Sequence, residues 1–300
     1  MLQEVDLDLT AQDHEAFAND GFLIRERIIS DETVAALRDE MTALFEGRYA
    51  SGLVPDEVNW KPGHDPHVTR QICNGWKASP ALASVVLSPQ VGHVVAALNG
   101  WPGARIAQDN VLWKPPAGTR PGGALGMHQD SAYAGFASHS LMSTVWIALD
   151  DVTEAGGSMV FARGSHRWPH HPPAQTFHDP VDYLAEFRAA GGSEQDLVPV
   201  VVPKGGGSIH HGWLWHGSGP NNGQSPRRSI VAHCLSSEAR FTDAVNPVYS
   251  RYKRLGSDAM DEAHFPVLWH RERAPSPFIA PYAAGALGWH AAGQSKTRSD

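Results

Sequence analysis

The texture of the chain changes near residue 100, and that change limits what it can fold into. Before it, apolar residues recur at helical spacing; after it, short β-prone runs are cut by Gly and Pro clusters. Helices first and many short strands later predict a helical layer packed on a β-sandwich or jelly roll. The first helix is expected to start after Thr10, with Asp13 in a capping-box position, and to end at Gly21, before a short strand from Phe22 to Arg25. Ser30 looks like the cap of a longer helix in which Val34, Leu37, Met41, Leu44 and Phe45 share one face, with Gly47 as its terminator. A third helix is predicted from Ser88 and Pro89 to Gly100.

Beyond that point the candidate strands are 105–113, 142–149, 158–161, 197–202, 208–213 and 229–235. An inserted helix is expected over 181–190, and Gly205-Gly206-Gly207 reads as a turn between strands. The whole of 1–300 is read as one domain: a helical layer over about 10–100, a β core over about 104–236, and a C-terminal cover over about 237–300 whose last residues, 294–300, fray.

Charge and composition exclude several classes. The formal net charge is −8 with no polybasic run, so neither nucleic acid nor an anionic membrane surface is an expected partner. Two cysteines, Cys73 and Cys234, support neither a disulfide framework nor a thiolate zinc site. The first ten residues lack the basic and apolar regions of a secretory signal, and no apolar run is read as approaching the roughly 18 residues of a membrane span. The expected location is cytoplasmic. With 17 histidines, no single one is evidence for a metal.

Spacing supplies that evidence. His128 and Asp130 are two apart in a β-prone stretch, so both point to one face. His216 ends a distant β-prone segment. Two imidazoles and one carboxylate on one face of an ion leave three positions open, which suits iron(II) and O₂. Arg227 follows on the next strand, and its fork suits one end of a dicarboxylate. His210 and His211 share the strand read for His216 and are expected to pack; Asp150-Asp151 reads as turn-forming. Arg70, Asn74 and Trp76 form a polar and aromatic cluster with reach toward a metal but no spacing rule behind it.

These motifs together resemble the phytanoyl-CoA dioxygenase family of iron(II)/2-oxoglutarate oxygenases. The resemblance rests on the opening DGFLIRERIISDETVAALRDEM, the strand from Asn110 to Lys114 leading into Pro115-Pro116, and HQD at 128–130. It continues through TVWIALDDVTEAGGSMVFARGSH and HGSGPN with Arg227. It implies a mainly β fold, a cupin-like double-stranded β-helix with the N-terminal helices on one sheet. It also implies that His128, Asp130 and His216 bind iron(II) and that Arg227 pairs with the distal carboxylate of 2-oxoglutarate, with O₂ as the other co-substrate. Asn110, Gln129, Trp146 and Ser218 fall where relatives line the co-substrate pocket. Lys114, Tyr133 and Phe136 are expected substrate contacts. Arg228 is a second candidate for the carboxylate, but strand neighbours face opposite sides and the family offset favours Arg227. The implied activity is hydroxylation, or a related oxidation, of a small molecule with release of succinate and CO₂. Two other readings stay open: a zinc-dependent hydrolase using the same three ligands, and a jelly-roll binding module without catalysis.

Overall fold

The computed structural model describes residues 5–118, 123–178 and 180–285; the tail over 294–300 lies outside them. The N-terminal helices form where capping and periodicity place them. Helix α1 (Ala11–Asp20) opens with the Thr10–Asp13 capping box and closes on Gly21 at φ 87°. A side chain at Gly21 would press on His166 and Leu214, so only glycine fits the cap. Strand β1 (Phe22–Arg25) follows, then α2 (Asp31–Phe45), capped by Ser30 and burying the predicted face. Two short strands, β2 (Glu57–Val58) and β3 (Arg70–Cys73), and a helix α3 (Pro80–Val86) come next. None of the three was expected: each is too short for a hydrophobic period to show. Helix α4 (Pro89–Asn99) completes the layer.

The apolar length of this region also corrects the sequence reading. Residues 80–99 form a stretch of 20 containing an 18-residue window of mean hydropathy 1.6, long and apolar enough to span a membrane by those two criteria. The helix breaks at Leu87 and Ser88, where Pro89 begins α4, and 61% of the stretch is buried within the fold. Its apolar surface is core surface.

The remaining strands are β4 (Gly103–Lys114), β5 (Leu125–His128), β6 (Ser143–Ala148), β7 (Met159–Ala162), β8 (Leu197–Pro199), β9 (Gly207–His211), β10 (His216–Ser218), β11 (Arg227–Ser236) and β12 (Val267–His270). They make the two antiparallel sheets of a jelly roll. The larger runs β1-β9-β6-β11-β4-β3-β2, with β12 also paired to β4; the smaller runs β5-β10-β7-β8. The helical layer packs through Val34, Leu37, Val91 and Val95 onto outward residues of the larger sheet such as Val145, Ile147 and Ile230. Leu112, Trp146, Phe161 and Val231 fill the space between the sheets. The inserted helix is shorter than expected, α5 (Ala185–Ala189), and the C-terminal cover contributes β12 and α6 (Ile279–Ala283).

Several polar residues face the helical side. Arg70 lies between Trp60 and Trp113, with its guanidinium carbon 3.8 Å from one ring centroid and 4.8 Å from the other. Asn74 donates to Asp56 and Trp76 is core, so that cluster does not reach toward the metal. Asp150 is no free turn residue, because Arg38 and Arg228 both pair with it at 2.7 Å.

Asp109 also points away from the space between the sheets. Its Oδ1 accepts the Trp76 N–H at 2.9 Å, while Oδ2 is buried without a partner. Burial pushes its carboxyl up to about 7, outweighing the backbone hydrogen bonds that lower it. The folded state therefore keeps a proton that the unfolded chain releases near 3.8, so this contribution is complete below about pH 4 and fades as pH rises toward 7. Asp109→Asn should flatten that loss, measured as urea-unfolding free energy near pH 5 and near pH 8; an unaltered pH slope would show that Asp109 is charged throughout.

Candidate metal centre and co-substrate cavity

His128 ends β5, His216 opens β10, and the two are partners across the ladder. Gln129 is extended (φ −120°, ψ 123°), so Asp130 emerges on the same side as His128. Gly217 makes the approach possible, since a Cβ there would lie 2.9 Å from the Met127 backbone. One nitrogen or oxygen from each of His128, Asp130 and His216 falls within 4.8 Å of the other two, and all three residues are buried. The Nε2 atoms of His128 and His216 stand 3.4 Å and 3.5 Å from Asp130 Oδ1.

Backbone carbonyls orient both rings. His128 Nδ1 lies 2.8 Å from the Gly126 oxygen, and His216 Nδ1 lies 3.0 Å from the Leu214 oxygen. An Nδ1–H donating to each carbonyl assigns the tautomer that leaves the Nε2 lone pair turned to Asp130. The far oxygen of Asp130 is held as firmly. Oδ2 accepts from Thr144 Oγ1 at 2.7 Å and faces His210 Nε2 at 3.2 Å and His233 Nδ1 at 3.3 Å. Burial alone would raise this carboxyl. The imidazoles of His233 and His216, with His128 and His210 beside it, reverse that and hold it well below the usual carboxylate range. Burial, reinforced by His128, holds His216 well below its ordinary value. Asp130 is thus held as a carboxylate and His216 as a neutral imidazole, the forms in which these groups bind a metal. With no thiolate among them, the donors fit iron(II).

The three groups open onto a cavity of about 250 Å³ between the sheets. Asn110, Trp146, Ser218, Tyr133 and Arg227 line it, as the sequence predicts. Along β11, Arg227, Val231 and His233 alternate inward, so Arg227 sits six residues from the His233 that touches Asp130. Arg227 is 3% exposed, donates to the Gly157 carbonyl at 3.0 Å, leaves Nε unpartnered, and has no carboxylate partner among the described residues. Burial lowers its guanidinium to about 10. Arg228 faces the other side and binds Asp150.

Three expectations fail. Gln129 points away from the cavity: its Nε2 donates to the Trp213 carbonyl and its Oε1 accepts the His171 N–H, fastening two loops. The alternation that aims His128 and Asp130 inward turns Gln129 outward. Lys114 is fully buried but lies behind the lining, donating to Ser218 Oγ at 2.7 Å and to the Gly219 carbonyl. Phe136 is core, stacked on Tyr249 with ring centroids 3.9 Å apart. Conversely, His210 and His233 were passed over. The turn after β9 takes His210 off the strand of His216, and its imidazole then faces Asp130. His211 turns to Phe17 and His166 instead.

A family model described as phytanoyl-CoA dioxygenase (PhyH) matches residues 17–229. The chain belongs to this family. As a phytanoyl-CoA dioxygenase family member it is an oxidoreductase, an iron(II)/2-oxoglutarate-dependent dioxygenase acting on a small molecule. Peroxisomal phytanoyl-CoA dioxygenase of Rattus norvegicus is 23% identical over 244 residues, covering 78% of this chain and 70% of its own. Phytanoyl-CoA dioxygenase domain-containing protein 1 of Danio rerio is 26% identical, covering 87% of this chain and 99% of its own. A probable alpha-ketoglutarate-dependent hypophosphite dioxygenase of Stutzerimonas stutzeri is 24% identical over 76% of this chain and 79% of its own. The same fold appears in the crystal structure of the non-heme alpha ketoglutarate dependent carbocyclase SnoK, with TM-score 0.68 and 22% identity over 87% of this chain and 96% of that one.

The clamp on Asp130 Oδ2 has a measurable consequence. Thr144→Val keeps shape but removes one donor, and should weaken Fe(II) binding on the order of 10- to 100-fold in a chelator competition. Unchanged affinity would reduce Thr144 to packing.

Proposed function

We propose that His128, Asp130 and His216 hold iron(II), that Arg227 takes the distal carboxylate of 2-oxoglutarate, and that a small organic molecule is oxidised beside them. Iron(II) bound there supplies O₂ activation, with 2-oxoglutarate as reductant leaving as succinate and CO₂. The chain's residues supply position and dryness. Gly126 and Leu214 carbonyls aim the two imidazoles, and Thr144, His210 and His233 keep Asp130 Oδ1 turned inward. Trp146 and Ser218 line the cavity together with Arg227, and Lys114 holds Ser218 from behind. Phe177 meets the His128 ring edge-on at 4.7 Å, and Tyr133 Oη accepts the Ala174 N–H, fastening this loop beside the cavity.

The observation that carries this reading is Arg227. A buried guanidinium without a carboxylate partner is costly unless an anion completes it. Facing a cavity shared with the metal triad, it suits a dicarboxylate that reaches from one to the other. A zinc hydrolase or a passive binding module leaves that cation without a use.

Arg227→Ala should raise the KM for 2-oxoglutarate about 100-fold, corresponding to roughly 3 kcal/mol from two charge-assisted hydrogen bonds, in succinate-release assays. An unaltered KM would remove Arg227 from the site. Asp130→Ala should abolish iron-dependent succinate formation while the far-UV circular dichroism stays native; full turnover in that variant would refute the ligand assignment.

A further inference from the structure

The cavity has a second polar region, formed by Gln71 on β3, Gln108 and Asn110 in the middle of β4, and Tyr249 of the C-terminal cover. Its foundation is a chain of side-chain hydrogen bonds. Tyr249 Oη donates to Gln108 Oε1, Gln108 Nε2 donates to Asn110 Oδ1 at 2.7 Å, and Gln71 Nε2 reaches the same oxygen at 3.0 Å. Asn110 Nδ2 then pairs with His233 Nε2 at 3.0 Å, which connects this wall to the Thr144–Asp130 clamp.

Donor bookkeeping gives the wall its character. The protons of Tyr249 and Gln71 are directed into the network, so what they have left is acceptor capacity. Tyr249 Oη keeps its lone pairs, and Gln71 Oε1 is buried with no partner at all. At the rim stands Glu57, half exposed, whose nearest cation is Arg251 at 3.9 Å. Among the described lining residues Arg227 is the one lysine or arginine, and Glu57 the one acid besides Asp130. The volume, about 250 Å³, is below the roughly 300–1,000 Å³ of ordinary ligand sites and must also house the co-substrate.

Resting on the reading of Arg227 and the metal triad given above, we propose that Tyr249, Gln71 and Glu57 form the substrate-recognition wall. It selects a small, neutral or cationic molecule rich in hydrogen-bond donors, a polyol or an amine, and disfavours acyl-CoA thioesters and other anions. Phosphates and carboxylates would meet acceptors and Glu57 there, and the described lining holds no lysine or arginine besides Arg227 to receive them. Tyr249 lies outside residues 17–229, the part matching the family model, so part of this wall comes from the C-terminal cover, while Gln71 and Glu57 lie within the matched part. Phe136 stacked beneath Tyr249 makes the ring a rigid support.

The test uses the full chain loaded with Fe(II) and 2-oxoglutarate. Formation of the visible Fe(II)–2-oxoglutarate absorption band first checks the underlying site; its absence would sink that reading and not this one. A panel of polyols, sugars, amino sugars, diamines, dicarboxylates and octanoyl-CoA is then scored for stimulated succinate release and for calorimetric binding under anaerobic conditions. The expected result is binding and stimulation confined to the polyol, sugar or amine members. Stimulation by octanoyl-CoA or a dicarboxylate, or none from the neutral and cationic members, would overturn the inference. For the best compound, Tyr249→Phe and Gln71→Leu should each raise KM about 5- to 10-fold with a smaller change in kcat. Glu57→Gln separates the two sources, raising KM for an amine and leaving that for a polyol unchanged. A KM unmoved by both Tyr249→Phe and Gln71→Leu would take the wall out of recognition.

Discussion

A single carboxylate, Asp130, must stay ionised inside a nearly dry space between two sheets, and much of the surrounding structure serves that requirement. An isolated buried carboxylate would take up a proton. Here one oxygen faces two imidazoles and the other meets Thr144, His210 and His233. Those partners come from β5, β6, β9, β10 and β11, so the charge is stable only when both sheets are assembled. Folding and readiness for metal are therefore the same event.

The two ends of the cavity solve different electrostatic problems. At one end Arg227 is a buried cation with no carboxylate partner among the described residues. At the other, amide and phenol groups satisfy one another and present residual acceptors. The metal triad opens onto the same cavity. Part of the second end comes from the C-terminal segment beyond the family match.

The helical layer contributes indirectly. Residues of α2 and α4 cover the outward face of the larger sheet, so β4, β6 and β11 are buried on both sides. Their inward residues are consequently held against movement from behind. Asp109, Arg70 and the Arg228–Asp150 pair belong to that outward side, next in sequence to residues that face the cavity.

By itself the sequence determined the helices whose caps it spells out, Thr10 to Gly21 and Ser30 to Phe45, because capping and a 3.6-residue period are local. It also determined that His128 and Asp130 share a side and that Arg227 and Arg228 do not, because strand alternation is local too. The same rule, applied to Gln129, would have turned it outward; family position alone drew it into the site. The strands β2, β3 and β12 were illegible because each takes its shape from pairing, not from its own pattern. Only the tertiary structure brought His210 and His233 to Asp130, put Lys114 behind Ser218, buried Phe136 under Tyr249, and set Tyr249 beside Gln108, 141 residues away. Those contacts depend on register between distant strands and on where the last segment comes to rest. No window of neighbouring residues contains that information, since long-range pairing is decided by which surfaces bury one another best.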